Sequence, residues 1–336
     1  MPARYARLGG VLAVVLAVVV PVNAGAADKV TVALDFTLSG YHAPWFVAQD
    51  RGYFTEQGLE VQMGRGYGSG DTVKKLATGA ADIGLNHPAP LIIANSEGGS
   101  LRVIMGYFNQ EMCAMYSAAE GGNVRAPKDL EGQTFGGPPG DICTMMLPAL
   151  AEKTGVDIAK VKVQQMDGPQ RLAMLTAGKI SVVGTFFDKD ILIKRGLDQA
   201  GKTMVSFHYA RYLSMYSLGV TASQATIDKR PEMVQKMVTA LLRGFKFTVA
   251  NPAEAAKITS KLYPELDADY VRASVDTLLE GMWDETSKAK GIGVLDVKKM
   301  QDTRDTVVKY WRLKAEPPLD QIYTNRFIEA AHRAVK

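Results

Sequence analysis

The apolar and polar positions from Val30 to Met63 set the pattern that the rest of the chain repeats. Val30-Thr31-Val32-Ala33-Leu34-Asp35-Phe36 is apolar, β-branched and broken by Thr37 to Gly40, which predicts a buried strand ending in a loop. Pro44 suits the first turn of a helix, Trp45, Val47 and Ala48 continue it, and Gly52 suits its end. After a second short turn, Leu59-Glu60-Val61-Gln62-Met63 alternates as a half-exposed strand does. In a parallel sheet, the loop after a strand faces the amino end of the next helix, where free N–H groups favour a polar or anionic ligand. Ser39, Gly40, Tyr41 and His42 hold that place. The plainer alternative is an ordinary turn at Ser39-Gly40, with Tyr41 and Trp45 as core aromatics.

The unit recurs. Glycines 64, 66, 68 and 70 crowd the loop Gly64 to Thr72, a density that suggests positive φ angles or close backbone approach, with Tyr67, Gly68 and Ser69 at its tip. Ser69 or Asp71 can cap a helix over Thr72 to Thr78, and Ala80 to Asn86 predicts a third buried strand, with Asn86 and His87 in the loop after it. Strands are also expected at Leu101 to Tyr107 and Met112 to Tyr116. Beyond Ala119 the chain turns polar, which places the first crossing between domains near residue 117. Downstream come a strand, the loop of Pro138, Pro139, Gly140 and Asp141, and a helix from Ile142 to Thr154 that Asp141 can cap. Val161 to Met166 leads to a loop at Asp167, then to a short helix from Arg171 to Thr176. Ile180 to Thr185 predicts a buried strand ending at Phe187 and Asp188, where Asp188 either faces a ligand or caps the next helix. Strands at Thr203 to Tyr209 and Met215 to Val220 flank the return crossing near Arg211 to Tyr216, which includes Tyr212. Val234, Met237, Val238, Leu241, Leu242, Phe245 and Val249 then form one helical stripe, a core-packing signature. Strands alternating with helices predict an α/β fold.

Composition narrows the classes. Arg4 and Arg7 precede an uncharged run from Gly9 to Val22, and Ala24-Gly25-Ala26 supplies small residues for cleavage, so residues 1–26 read as a secretion signal. The expected mature chain, roughly 310 residues, has length enough for two domains. Lys and Arg number 39 against 35 Asp and Glu; setting aside Arg4 and Arg7 leaves 37 against 35, a balance that disfavours nucleic acid. The four histidines (His42, His87, His208, His332) are scattered, and neither cysteine has metal-ligand spacing, so no metal or other cofactor is expected. Cys113 and Cys143 can pair in an oxidising compartment, but the reading preferred is two small buried apolar residues. The glycine loop lacks the Gly-Lys-Ser/Thr ending and the dinucleotide spacing, which disfavours nucleotides.

The run Ala48-Gln49-Asp50-Arg51-Gly52-Tyr53-Phe54, followed by Gly58-Leu59 and Val61, resembles the start of a periplasmic solute-binding protein of an ABC importer. More narrowly, it is similar to the nitrate/sulfonate/taurine and thiamine-pyrimidine-precursor group. Leu76 to Gly84, Asp129-Leu130-Glu131-Gly132, Pro231-Glu232 with Val234, and Asn251-Pro252-Ala253-Glu254-Ala255 match further segments of that group in order. Gln133 stands where lysine is usual. The resemblance implies the two-domain, type II periplasmic-binding-protein fold. Its expected parts are residues 27–117 and 216–336 in domain one and residues 118–215 in domain two, with the ligand in the cleft between. It also implies a periplasmic monomer that hands a solute to an importer permease with its cytoplasmic ATPase. A pyrimidine-precursor synthase shares the fold and is the rival class. That relative uses a cysteine-rich, iron-binding run that this chain lacks.

The expected site comprises Ser39, Gly40, Tyr41, His42, Tyr67, Gly68, Ser69, Asn86, His87, Pro139, Gly140, Asp141, Asp167, Phe187, Asp188 and Tyr212. Aromatics near the loop ends suit a planar ring, and Asp167 and Asp188 suit ring or amino N–H donors, whereas a sulfonate would call for arginine or lysine. A small heterocycle such as a pyrimidine is therefore preferred over an anion. Tyr41 and Asp188 are expected to approach that ligand from opposite domains.

Overall fold

The computed structural model describes residues 27–138 and 140–335, so the expected secretion signal and Pro139 fall outside the described residues. Ten strands form two five-stranded sheets. The first holds β1 (Asp28–Ala33), β2 (Leu59–Gly64), β3 (Ile83–Asn86), β4 (Leu101–Phe108) and β10 (Leu218–Ser223), in the order β2-β1-β3-β10-β4. The second holds β5 (Cys113–Ala118), β6 (Thr134–Gly137), β7 (Lys162–Gln165), β8 (Val182–Phe186) and β9 (Met204–His208), in the order β7-β6-β8-β5-β9.

The two orders are the same pattern. In each sheet three strands are parallel, and the fourth in line runs antiparallel to both neighbours: β10 between β3 and β4, β5 between β8 and β9. Each antiparallel strand is the first one after a crossing. The chain leaves the first sheet between Phe108 and Cys113 and returns between His208 and Leu218. The first crossing therefore comes earlier than residue 117, because Cys113–Ala118 pairs with β8 and β9 and not with β4. All six of its residues are buried, so no alternation along it could say which sheet would accept it.

Local chemistry accounts for the elements that shape the cleft. Gly66 tolerates no side chain, since a Cβ there would lie 2.1 Å from the Leu34 carbonyl oxygen, and Gly68 has φ +116°. The glycine loop thus lies directly against the end of β1. The helix after it runs from Ser69 to Ala77 with Gly68 as its cap and no side-chain cap, so Ser69 and Asp71 do not act as expected. Asp141 does cap, accepting the Thr144 amide at 3.2 Å. The helix it starts stops at Met145, and a second runs from Leu147 to Thr154, because Pro148 has no N–H to continue the ladder. The helices after β10 pack on the first sheet; in the longest, Pro231–Ala250, the expected stripe from Val234 to Phe245 is buried. No helix of the described residues is long and apolar enough to cross a membrane.

Cys113 and Cys143 form a disulfide with a Cα separation of 5.3 Å, which corrects the expectation of two free buried thiols. The sequence could not show that β5 and the helix beginning at Ile142 pack side by side.

Candidate functional site

The carboxyl ends of the parallel strands in the two sheets face each other. Gly68, after β2, would place a Cβ 3.4 Å from the Gly140 carbonyl of the loop after β6, so the two glycine loops meet across the cleft. Asp35, Phe36, Asp141, Arg171, Phe186 and Lys189 line a tight cavity there, together with Gly68, Ser69, Ile142 and Thr185, with four ionisable side chains at its wall. It measures about 20 Å³, room for little more than one water.

On the first-sheet side, Asp35 is a buried acceptor. Tyr41 Oη donates to its Oδ2 at 2.9 Å, and His42 Nε2 lies 2.8 Å from its Oδ1. The Ser39 amide donates to His42 Nδ1 at 3.1 Å, so the ring hydrogen sits on Nε2 and is given to Asp35. Burial pushes the Tyr41 phenol well above its ordinary range, and the Asp35 charge adds to this. A second buried pair repeats the device. His87 Nδ1 accepts the Ala89 amide at 3.0 Å, and its Nε2 lies 2.9 Å from Glu111 Oε2, on the first crossing segment.

Asp188 joins the two halves. Its Oδ2 accepts from Ser39 Oγ at 2.8 Å, Tyr270 Oη at 2.8 Å and Ser274 Oγ at 3.3 Å, all on the first-sheet side, while Lys189 Nζ lies 3.2 Å from both oxygens. Burial lowers the Lys189 ammonium, but Asp188 and Tyr270 more than offset it, and the group stands above its ordinary value. Outside this cluster, Arg195 spans the halves to Asp267 at 2.8 Å.

Arg171, a second cation beside the cavity, is buried, at 6% exposed. Its Nε donates to the Gly168 carbonyl at 3.3 Å and its Nη1 to the Gly184 carbonyl, with Asp141 Oδ1 3.7 Å away. Burial raises the Asp141 carboxyl, opposed by Arg171 and the Thr144 amide.

The expected residues divide clearly. Gly68, Ser69 and Asp141 line the cavity, with Gly140 against Gly68. Ser39, Gly40, Tyr41 and His42 stand just behind it but face protein: Gly40 would place a Cβ 2.1 Å from the Val271 carbonyl, and the other three are hydrogen-bonded as above. Asp188 is likewise satisfied by protein, so Tyr41 and Asp188 do not converge on an open ligand space. His87 is turned to Glu111. Asn86 donates to the His87 carbonyl, and among the described residues its buried Oδ1 has no partner. Tyr67 is 67% exposed beneath the Arg65 guanidinium. Asp167 is exposed, Phe187 stacks on His208 at 4.9 Å, and Tyr212 packs edge-on against Phe207, away from the cavity. The expected site omits Asp35, Phe36, Ile142, Arg171, Thr185, Phe186 and Lys189, which also line the cavity. Arg171 and Lys189 read as ordinary residues at helix starts, yet a charge directly after a loop at a strand end is the signal that could have marked them.

A family model described as NMT1/THI5 like matches residues 39–255. The chain belongs to the NMT1/THI5-like family. Curated relatives of this NMT1/THI5-like chain include the riboflavin-binding protein RibY of Chloroflexus aurantiacus, 25% identical over 309 residues, covering 90% of this chain and 86% of that one. The formylaminopyrimidine-binding protein of Halalkalibacterium halodurans is 24% identical over 235 residues, 69% of this chain and 70% of that one. A pyrimidine phosphate synthase of Saccharomyces cerevisiae also matches, at 22% over 254 residues, 72% of this chain and 73% of that one. Among solved structures, the alkanesulfonate-binding protein SsuA of Xanthomonas axonopodis pv. citri aligns with a TM-score of 0.69 at 12% identity, covering 89% of this chain and 100% of that one. The fold of this NMT1/THI5-like chain is thus that of the periplasmic binding proteins, as the resemblance implied.

Proposed function

We propose that the chain is an extracytoplasmic solute-binding protein that closes on a small heterocycle and presents it to an ABC importer. Residues up to about Asn109 together with those after Ser217 form one lobe, and residues 113 to 208 form the other. The observation that carries the reading is the cavity between the two sheets, walled by Asp35 and Asp141 on one hand and Arg171 and Lys189 on the other. This balance of acceptors and donors suits a neutral ring bearing both, as a pyrimidine does. It suits a lone anion less, because Arg171 and Lys189 each already stand beside a carboxylate. Riboflavin and formylaminopyrimidine, named for the two binding-protein relatives, both contain a pyrimidine-type ring. Aromatic support for such a ring comes from Phe36 and Phe186, which line the cavity, while Tyr41, Trp45 and Tyr216 are buried.

The two cations nevertheless favour one second reading, a sulfonate or nitrate held by Arg171 and Lys189. A thermal-shift screen with calorimetric follow-up separates the two, since a ligand raises the melting temperature by mass action. Stabilisation by pyrimidines or flavins, unchanged in mass after incubation, supports solute binding without turnover. Stabilisation by sulfonates or nitrate alone replaces the ligand class. Silence across both sets, or release of a transformed product, overturns the reading.

A further inference from the structure

The cleft has a second compartment that the tight cavity does not account for. Leu172, Val183, Leu192 and Ile193, all from the second-sheet half, face Phe36 and Thr37 from the loop after β1 around a space of about 250 Å³. Phe36, Arg171, Thr185 and Lys189 line this space and the tight cavity alike, so the compartments meet at those four side chains. Away from that seam the walls are apolar, apart from Thr37. A space of this size lies close to the lower end of small-molecule sites, roughly 300 Å³.

Arg171 marks the seam. Its Nε and Nη1 donate to backbone carbonyls, and among the described residues its Nη2 has no hydrogen-bond acceptor. A Cβ on Gly168 would lie 3.4 Å from Nη2, and Gly168 itself lines the apolar compartment. Nη2 is thus the one nitrogen of this largely buried side chain left open to the cleft, where it can donate to a ligand acceptor. A single polar ring at the seam would leave the facing apolar walls uncovered.

We propose that the apolar compartment is a second subsite, which takes a fused or appended apolar ring of the ligand while Arg171 Nη2 donates to an acceptor on the heterocycle at the seam. This rests on the solute-binding reading above and sharpens it: extended, fused ring systems are preferred over a lone pyrimidine. Bare anions leave the compartment unused.

Uracil and lumichrome test it, because they share a pyrimidinedione edge and differ by a fused pyrazine and dimethylbenzo extension. In competition titrations of the purified protein, lumichrome should bind at least about tenfold tighter than uracil. Leu192→Trp, which fills the compartment from a half-buried position, should lower lumichrome affinity about tenfold or more and leave uracil within about twofold. Leu172→Gln, which makes the wall polar without added bulk, should act in the same direction, with ligand-free melts checking that both variants fold. Equal affinity of the two probes, unchanged lumichrome binding in both folded variants, or an equal loss for uracil overturns the subsite while solute binding stands. Failure of both probes to bind the wild-type protein also overturns it, and the wider screen then decides solute binding separately.

Discussion

Asp188 Oδ2 sits 2.8 Å from Ser39 Oγ, a contact between residues 149 apart in sequence that joins the loop after β8 to the loop after β1. With Tyr270, Ser274 and Lys189 gathered on the same carboxylate, Asp188 is a clasp between the two halves. Replacing it leaves a mostly buried ammonium without its counter-charge and removes the acceptor that three hydroxyls share. Asp188→Ala should therefore cost about 3 to 5 kcal/mol and lower the ligand-free melting temperature markedly. That reverses what a ligand-facing aspartate would do. A melt superimposable on the wild type would refute the clasp.

Arg171→Lys should weaken ligand binding roughly ten- to hundredfold, since an ammonium cannot supply the three directions that the guanidinium addresses at Gly168, Gly184 and the seam. Calorimetry with whichever compound stabilises the wild type reads this directly. Undiminished affinity would remove Arg171 from the site.

The Cys113–Cys143 bond closes a segment of 30 residues within the second-sheet half. Loop entropy puts its contribution at about 3 to 4 kcal/mol, so a Cys113→Ala/Cys143→Ala double variant should lose close to that in chemical denaturation. A change under about 1 kcal/mol would show that the loop is already confined in the unfolded chain.

Gly66→Ala should displace the loop after β1, because the added methyl would collide with the carbonyls of Leu34 and Asp35. A loss of about 1 to 3 kcal/mol is expected, together with weaker ligand binding as Asp35 shifts. Gly70→Ala, in the first turn of the helix that follows and with open space around its Cβ, is the control and should be neutral or slightly stabilising.

Burial lowers the His208 imidazole below its ordinary value; Asp190 opposes this and Arg211 adds to it. As pH falls below about 6.5, the unfolded chain takes up a proton at this residue that the native state does not. Native stability at this residue is then lost as pH drops from about 6.5 toward the lower native value, and the loss is complete below it. His208→Gln should accordingly flatten the fall in melting temperature between about pH 6.5 and 5. Parallel slopes for the two proteins would exclude His208 as the source.

Much of the architecture could be read from local pattern. Val30 to Ala33, Leu59 to Met63 and the segment ending at Asn86 are all strands, and Asp141 caps its helix as its position suggests. What escaped was whatever depends on partners far along the chain. The six buried residues of β5 show no alternation and would suit either sheet, which is why local pattern places the first crossing too late. Tyr41 and Asp188 do stand at the strand ends expected of them, but a sequence cannot show that Asp35, Ser39, Tyr270 and Ser274 already satisfy their polar atoms. The converse error hid Arg171, whose burial arises only when Gly168, Gly184 and Asp141 close around it.

The antiparallel strand β10 lies between β3 and β4, and 109 residues separate the end of β4 at Phe108 from the start of β10 at Leu218. A growing chain therefore cannot complete its first sheet until the whole second sheet has been made, whereas every strand of the second sheet lies between Cys113 and His208. Long-range pairing of this kind is slow. The amino-terminal strands must wait, with their middle position unfilled, for a segment made much later, an interval in which a holding chaperone or a translocation channel would find the chain still pliable.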